Sequence, residues 1–76
     1  TLMNLGAAFT AMGRFDDAIP LLRRALSAAD LNEARYNLIL CLAQSGRTAE
    51  AQRELAELAR RSPEMANTAR AALEIP

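Results

Sequence analysis

Apolar residues recur at three- and four-residue intervals in five successive blocks, which is the spacing of amphipathic α-helices. The first block places Leu2, Leu5 and Phe9 on one face, with Met12 close to it. We therefore predict five helices, of which the last frays towards Ile75. Their approximate ranges are residues 2–12, 15–28, 30–45, 48–61 and 63–75.

Polar residues at the block boundaries predict how three of these helices begin. Asp30 and Glu33 have the spacing of a capping box, in which each side chain bonds the other residue's backbone N–H. Thr48 is the expected N-cap of the fourth helix, and Ser62 that of the fifth. Pro63 then suits the first helical position, where no backbone donor is needed.

The third and fourth helices differ in how their apolar residues are arranged. The fourth has a single apolar stripe, and its Arg53, Glu57 and Arg61 are expected on a solvated face. The third is apolar on more than one side, so we expect neighbours on both sides of it. Its apolar residues are Tyr36, Leu38, Ile39, Leu40 and Leu42.

The chain contains an internal repeat with a period of 33 residues. GRFDDAIPLL begins at Gly13, and GRTAEAQREL begins at Gly46. Each half therefore reads as helix, Gly-Arg turn, helix, with the glycine relieving the left-handed backbone that often ends a helix. A single hairpin cannot bury its apolar face, so we expect the two hairpins to stack.

At these positions the chain resembles the tetratricopeptide repeat family, whose pattern is W-x2-L-G-x2-Y, A-x3-F and P. The first repeat reads Leu2-x2-Leu5-Gly6-x2-Phe9 and Ala18-x3-Leu22; the second reads Arg35-x2-Leu38-Ile39-x2-Leu42, Ala51-x3-Leu55 and Pro63. The resemblance implies an all-α, right-handed α-solenoid of two antiparallel helix-turn-helix repeats plus a fifth, capping helix. It divides the chain into repeat 1 (1–30), repeat 2 (31–62) and the capping helix (63–76), for which a third repeat cut short is the alternative.

Several positions depart from the family pattern, among them three in the second repeat. Arg35 puts a charge in the tryptophan position, and Ile39 is bulky where the first repeat has the small Gly6. Thr48 replaces the aromatic residue that Phe15 supplies in the first repeat. Gly6 itself indicates a close approach of the two helices of the first hairpin.

Composition narrows the function classes. Alanine and leucine dominate and β-branched residues are scarce, which favours helix. The nine acidic and nine basic residues balance to a net charge of zero, which argues against nucleic-acid binding. No apolar run approaches the ~20 residues of a membrane span.

The missing initiator methionine suggests a fragment of a longer protein, with processing as the alternative. The alanine- and arginine-rich composition suggests a bacterial protein, and the cytoplasm is the favoured compartment.

Catalytic chemistry is not expected. The chain has no histidine, and its lone cysteine, Cys41, lies among apolar residues, so a buried, inert thiol is predicted. Neither a cofactor nor a metal site is predicted.

The resemblance implies a concave surface lined by the first helix of each repeat, where a peptide or partner helix would bind. The predicted peptide-binding residues are Met3, Asn4, Ala7, Thr10, Tyr36, Asn37, Leu40 and Gln44, with Ala11 and Glu33 on the same side. Asn4 and Asn37 occupy the same position of the two repeats, and an amide can donate to and accept from a peptide backbone. Tyr36 and Leu40 are the expected apolar anchors. The alternative for Tyr36 is packing against the fifth helix.

We therefore predict a protein–protein interaction module. The alternative is self-association, in which the groove or an open end is filled by the fifth helix or by a second copy. RNA binding is a weaker third class. A clamp for a terminal carboxylate, which some family members have, is not expected, since only Asn37 and Arg70 could contribute to it.

Overall fold

The computed structural model describes residues 1–74, and this part of the chain consists of five α-helices joined by short turns. The helices are α1 (Leu2–Ala11), α2 (Phe15–Ala29), α3 (Asn32–Gln44), α4 (Thr48–Arg61) and α5 (Pro63–Glu74). The prediction of an all-α solenoid of helix-turn-helix repeats is confirmed. The predicted fraying near Ile75 lies outside the described residues.

The two Gly-Arg turns have the same backbone geometry. Gly13 and Gly46 have φ values of 77° and 85°, in the left-handed region that glycine adopts without steric cost. The N–H of Arg14 donates to the carbonyl of Phe9 at 2.8 Å, and the same bond recurs at the corresponding residues of the second turn. These turns bring α1 against α2 and α3 against α4 as antiparallel pairs.

The predicted capping box at the start of α3 is wrong. Leu31 is the N-cap of α3, and no side chain caps this end. Asp30 instead ends α2 in a left-handed conformation, with φ of 41°. Aspartate tolerates this conformation better than most residues, and its carboxylate is bound by Arg35 at 3.0 Å. It therefore pairs with an arginine in place of the expected backbone donor.

The other two predicted caps have opposite outcomes. Thr48 is the first residue of α4 and not its N-cap, because the turn at Gly46 leads directly into the helix. Arg47 occupies the cap position without a side-chain capping bond. The Ser62 cap is confirmed: its hydroxyl accepts from the N–H of Met65 at 3.3 Å.

The core consists of two clusters on either side of α3. The cluster between the hairpins contains Leu22, Leu38 and Cys41, all fully buried. The cluster beside α5 contains Ile39 with Leu58, and α5 adds two buried alanines to it. The prediction that α3 needs neighbours on both sides is confirmed.

Two of the apolar residues that the periodicity places on or near one face of α1 are exposed to solvent. Leu5 is 47% exposed and Met12 is 60% exposed. The face of α1 that packs on α2 is centred on the buried Gly6, where an added Cβ would lie 2.7 Å from two carbons of Leu22. The expected close approach at Gly6 is therefore confirmed, while Leu5 and Met12 lie on a different face of the helix.

An ion-pair network accommodates Arg35, the charged residue at the position where the repeat pattern has tryptophan. Arg35 is only 9% exposed and donates to Asp30 at 3.0 Å and to Glu54 at 3.1 Å. Arg61 also reaches Asp30, at 2.8 Å, as well as Glu57 on its own helix. Arg61 therefore does more than contribute to a solvated face, because it ties the end of α4 to the end of α2.

Candidate functional site

The groove lies between α1 and α3, the first helices of the two repeats. It has a volume of about 370 Å³ and is lined by Ala7, Thr10, Ala11, Asn37, Leu40 and Gln44. All six lie on the side of the helices expected from the sequence. The fold therefore gathers most of the predicted peptide-binding residues around one depression.

Three of the predicted residues do not line this groove. Asn4 is exposed one turn before it, and Met3 is half-buried. Tyr36 is half-buried and packs against the cluster beside α5, so the alternative position considered for this residue is confirmed. Leu40 is thus the large apolar side chain of the groove lining. Of the two asparagines that recur at the same repeat position, Asn37 lines the groove and Asn4 does not.

Small side chains on α1 make room for the groove. Ala7 and Ala11 stand opposite the longer side chains of α3. The hydroxyl of Thr10 donates to the carbonyl of Gly6 within α1 at 2.9 Å. The amides of Asn37 and Gln44 are therefore the lining side chains best suited to bonding an incoming backbone, because each offers donors and an acceptor.

The lining of the groove carries no charge, whereas ion pairs occupy other surfaces of the described chain. Arg47 pairs with Asp16 at 3.2 Å across the two turns, and Arg23 pairs with Glu50 at 2.7 Å across the second helices. The lining therefore has no charged group that would steer a ligand from a distance.

Cys41 does not contribute to the groove surface. Its side chain is fully buried between the hairpins, and burial raises the pKa of the thiol. A thiol with a raised pKa holds little thiolate at neutral pH, and the thiolate is the reactive form. The predicted burial of Cys41 is confirmed, and its inertness stays a prediction.

Sequence reasoning missed a larger cavity, of about 560 Å³, between α4 and the end of α5. The signal was present in the repeat: Thr48 and Gln52 are polar where the first repeat has Phe15 and Ile19. Gln44 borders both this cavity and the groove. The cavity is lined by Ala43, Gln44, Thr48, Ala51, Gln52, Leu55, Arg70, Ala72 and Leu73.

Two further features bear on function. Among residues 1–74, no group of three cysteine, aspartate or glutamate side chains is arranged to hold a metal ion. No helix in the same part of the chain combines the length and the apolar character needed to cross a bilayer.

Comparison with known proteins yields one family. The model of a family described as "Tetratricopeptide repeat" matches residues 9–73, a stretch that runs from the end of α1 almost to the end of α5. No curated protein and no solved structure matches the chain.

Proposed function

Because the chain belongs to the tetratricopeptide repeat family, whose members generally act as protein–protein interaction modules, we propose that it binds an extended segment of a partner protein between α1 and α3. The observation that carries this proposal is the shared groove. Residues from two helices more than twenty positions apart in sequence line one depression of about 370 Å³.

The chemistry of the lining supports a peptide as the ligand. Asn37 and Gln44 can bond successive backbone groups of an extended chain, while Leu40 provides an apolar contact. A neutral lining and a net charge of zero favour a peptide over a nucleic acid. We propose a binding role without catalysis, which the burial of Cys41 supports.

The position of α5 supports an accessible groove. α5 contacts α3 and α4, and within the described residues it makes no contact with α1. It packs beside Tyr36 and Ile39, on the other side of α3 from the first hairpin. One form of the self-association alternative requires α5 to fill the groove. In this arrangement α5 lies elsewhere and leaves the groove open.

A displayed library of short random peptides tests the proposal. Ala11 is exposed at the groove, so Ala11→Trp should fill the space and abolish the binding of peptides selected on the unmodified chain. The matched control is Ala28→Trp, at an exposed alanine of α2 outside the groove lining, which should leave binding unchanged. Equal binding to both variants, or no peptide selected at all, would contradict a groove-binding role.

A dilution series followed by light scattering separates peptide binding from self-association. We expect a monomer at all concentrations. A dimer that Ala11→Trp abolishes would mean that a second copy occupies the groove, and the peptide proposal would then fail.

A further inference from the structure

The cavity between α4 and the end of α5 occupies the place in the second repeat that the groove occupies in the first. Shifted by the repeat period of 33 residues, four lining residues of the groove become four of the cavity: Ala43, Gln44, Arg70 and Leu73. The cavity is nevertheless the larger of the two, with a volume of about 560 Å³ against about 370 Å³. The difference calls for a cause within the second repeat.

The extra space lies where the first repeat has two large apolar side chains. Phe15 packs on the core cluster between the hairpins, and Ile19 belongs to that cluster and is 6% exposed. Their counterparts Thr48 and Gln52 are exposed and line the cavity. The first repeat therefore fills this place from its own second helix, whereas the second repeat leaves it open.

The cavity lining combines an apolar majority with a few uncharged polar groups. Five of its nine residues are alanine or leucine. Thr48 adds a hydroxyl, and Gln44 and Gln52 add amides, all of which both donate and accept hydrogen bonds. A mostly apolar pocket with a few polar groups is typical of binding sites. This composition suits a group that is apolar over most of its surface and polar at one end.

Arg70 is the charged residue of the lining, and it favours an aromatic ring over a carboxylate. It is exposed on α5 and donates to Asn67 at 3.0 Å. A carboxylate fits poorly, because the apolar lining would desolvate it and an exposed ion pair returns little. A guanidinium also attracts the face of an aromatic ring. The chain already contains such a contact, since Arg14 lies 4.8 Å from the ring centroid of Phe9.

Gln44 connects the cavity to the groove. It borders both and is the last residue of α3. A peptide bound in the groove therefore reaches the cavity by passing the end of α3. Successive side chains of an extended segment point to opposite sides, so one residue enters a pocket while the backbone continues along the surface.

We infer that the cavity is a subsite for a tyrosine side chain of the bound peptide, an inference that rests on the peptide-binding function proposed above. The ring takes the place that Phe15 and Ile19 fill in the first repeat, against the lining leucines of α4 and α5, with Arg70 at one face. The phenol hydroxyl bonds Thr48 or Gln52. Phenylalanine has no hydroxyl for these polar groups, and this favours tyrosine.

Filling the cavity separates this inference from groove binding. Thr48→Phe combined with Gln52→Ile places the residues of the first repeat in the cavity, and neither position lines the groove. Peptides selected on the unmodified chain should share a tyrosine, and the double variant should bind them about tenfold more weakly or worse. Thr68→Phe is the matched control, at an exposed threonine of α5 that lines neither depression, and should leave affinity unchanged.

Replacing the peptide's tyrosine by alanine completes a double-mutant cycle. This change should weaken binding about tenfold on the unmodified chain and have little effect on the double variant, whose cavity is already filled. Equal losses on both chains, or a shared acidic residue where tyrosine is expected, would overturn the inference. Peptides that Ala11→Trp displaces but that ignore cavity filling would also overturn it, while leaving groove binding intact.

p-Cresol, the tyrosine side chain by itself, tests the cavity without a peptide. In NMR spectra of the full chain it should shift the methyl resonances of Leu55 and Leu73 saturably, since both leucines line the cavity. Toluene, which lacks the hydroxyl, should bind several-fold more weakly, and neither compound should bind the double variant.

The p-cresol result distinguishes failure of the subsite from failure of the groove. Absent shifts, or equal binding of toluene, would overturn the inference; a cavity filled by residues 75–76 of this chain would give the first of these results. Saturable binding of p-cresol, with a library that yields no peptide, would support the subsite and reject the proposed groove function.

Discussion

Gly6 lies where α1 approaches α2 most closely, and replacing it with alanine tests how tightly the first hairpin is packed. An alanine Cβ at this position would lie 2.7 Å from both Cγ and Cδ2 of Leu22. Leu22 is fully buried against the second hairpin, so it has little freedom to move away. We expect Gly6→Ala to destabilise the protein although alanine is the better helix former.

Two opposing contributions determine the magnitude. Inserting a methyl group into a packed core costs about 1–3 kcal/mol. Replacing glycine by alanine inside a helix stabilises the helix by about 0.8–1 kcal/mol. The packing cost is the larger, because one of the two contacted atoms, Cγ, is the branch point of the leucine and not the end of a flexible chain. The expected net loss is about 1 kcal/mol, which lowers the melting temperature of a domain this size by about 4–8 °C.

Thermal unfolding followed by helical circular dichroism measures this loss. Ala8→Gly is the matched control, since it makes the opposite exchange at an exposed position of α1 and so reports mainly the helix-propensity term. In a Leu22→Ala background the contacted carbons are absent, so Gly6→Ala should then stabilise the protein. An unchanged or raised melting temperature for Gly6→Ala alone would refute the packing argument, as would the same sign of effect in both backgrounds.

Three further predictions follow from the core and the ion-pair network. Leu22→Arg should unfold the chain, because it buries an unpaired charge between the hairpins; a preserved helical signal and melting temperature would show that the interface between the hairpins is assigned wrongly. The hydrogen bond from Arg35 lowers the pKa of Asp30. The stability that the ionised Asp30 carboxylate contributes is therefore present above about pH 4 and is lost as the pH falls through the lowered pKa. Asp30→Asn keeps a residue that tolerates the left-handed backbone, and its melting temperature should fall less steeply between about pH 5 and pH 2 than that of the unmodified protein; parallel pH curves would contradict this. Cys41 should resist a thiol reagent in the folded protein and react fully in denaturant, because it is buried and its pKa is raised; rapid labelling of the folded chain would contradict its burial.

Features that depend on neighbouring residues were predicted well. Gly13 and Gly46 adopt the left-handed backbone that the Gly-Arg turns indicated, since this preference is a property of the residue itself. Ser62 caps α5 because its hydroxyl reaches a donor three residues away. Asp30 has similar cap chemistry, yet the prediction failed there, because Arg35 and Arg61 compete for its carboxylate.

The candidate groove was predicted in part. The resemblance to the repeat family implied that Ala7, Thr10, Asn37, Leu40 and Gln44 share one side of the first helices, and these five residues line the groove. Tyr36 was assigned to the same side, but its surroundings depend on where α5 packs. The cavity beside α4 was missed for the same reason, since α5 forms one of its walls.

The sequence by itself determined the five helices, their turns and the repeat, because helix periodicity and glycine conformations act over a few residues. Only the tertiary structure decided how deeply a given apolar face is buried. Leu5 and Leu38 occupy the same position in the two repeats, yet Leu5 is half-exposed and Leu38 is fully buried. The difference arises because burial depends on which helix packs against each face, and α2 covers Leu38 while no helix of the described chain covers Leu5.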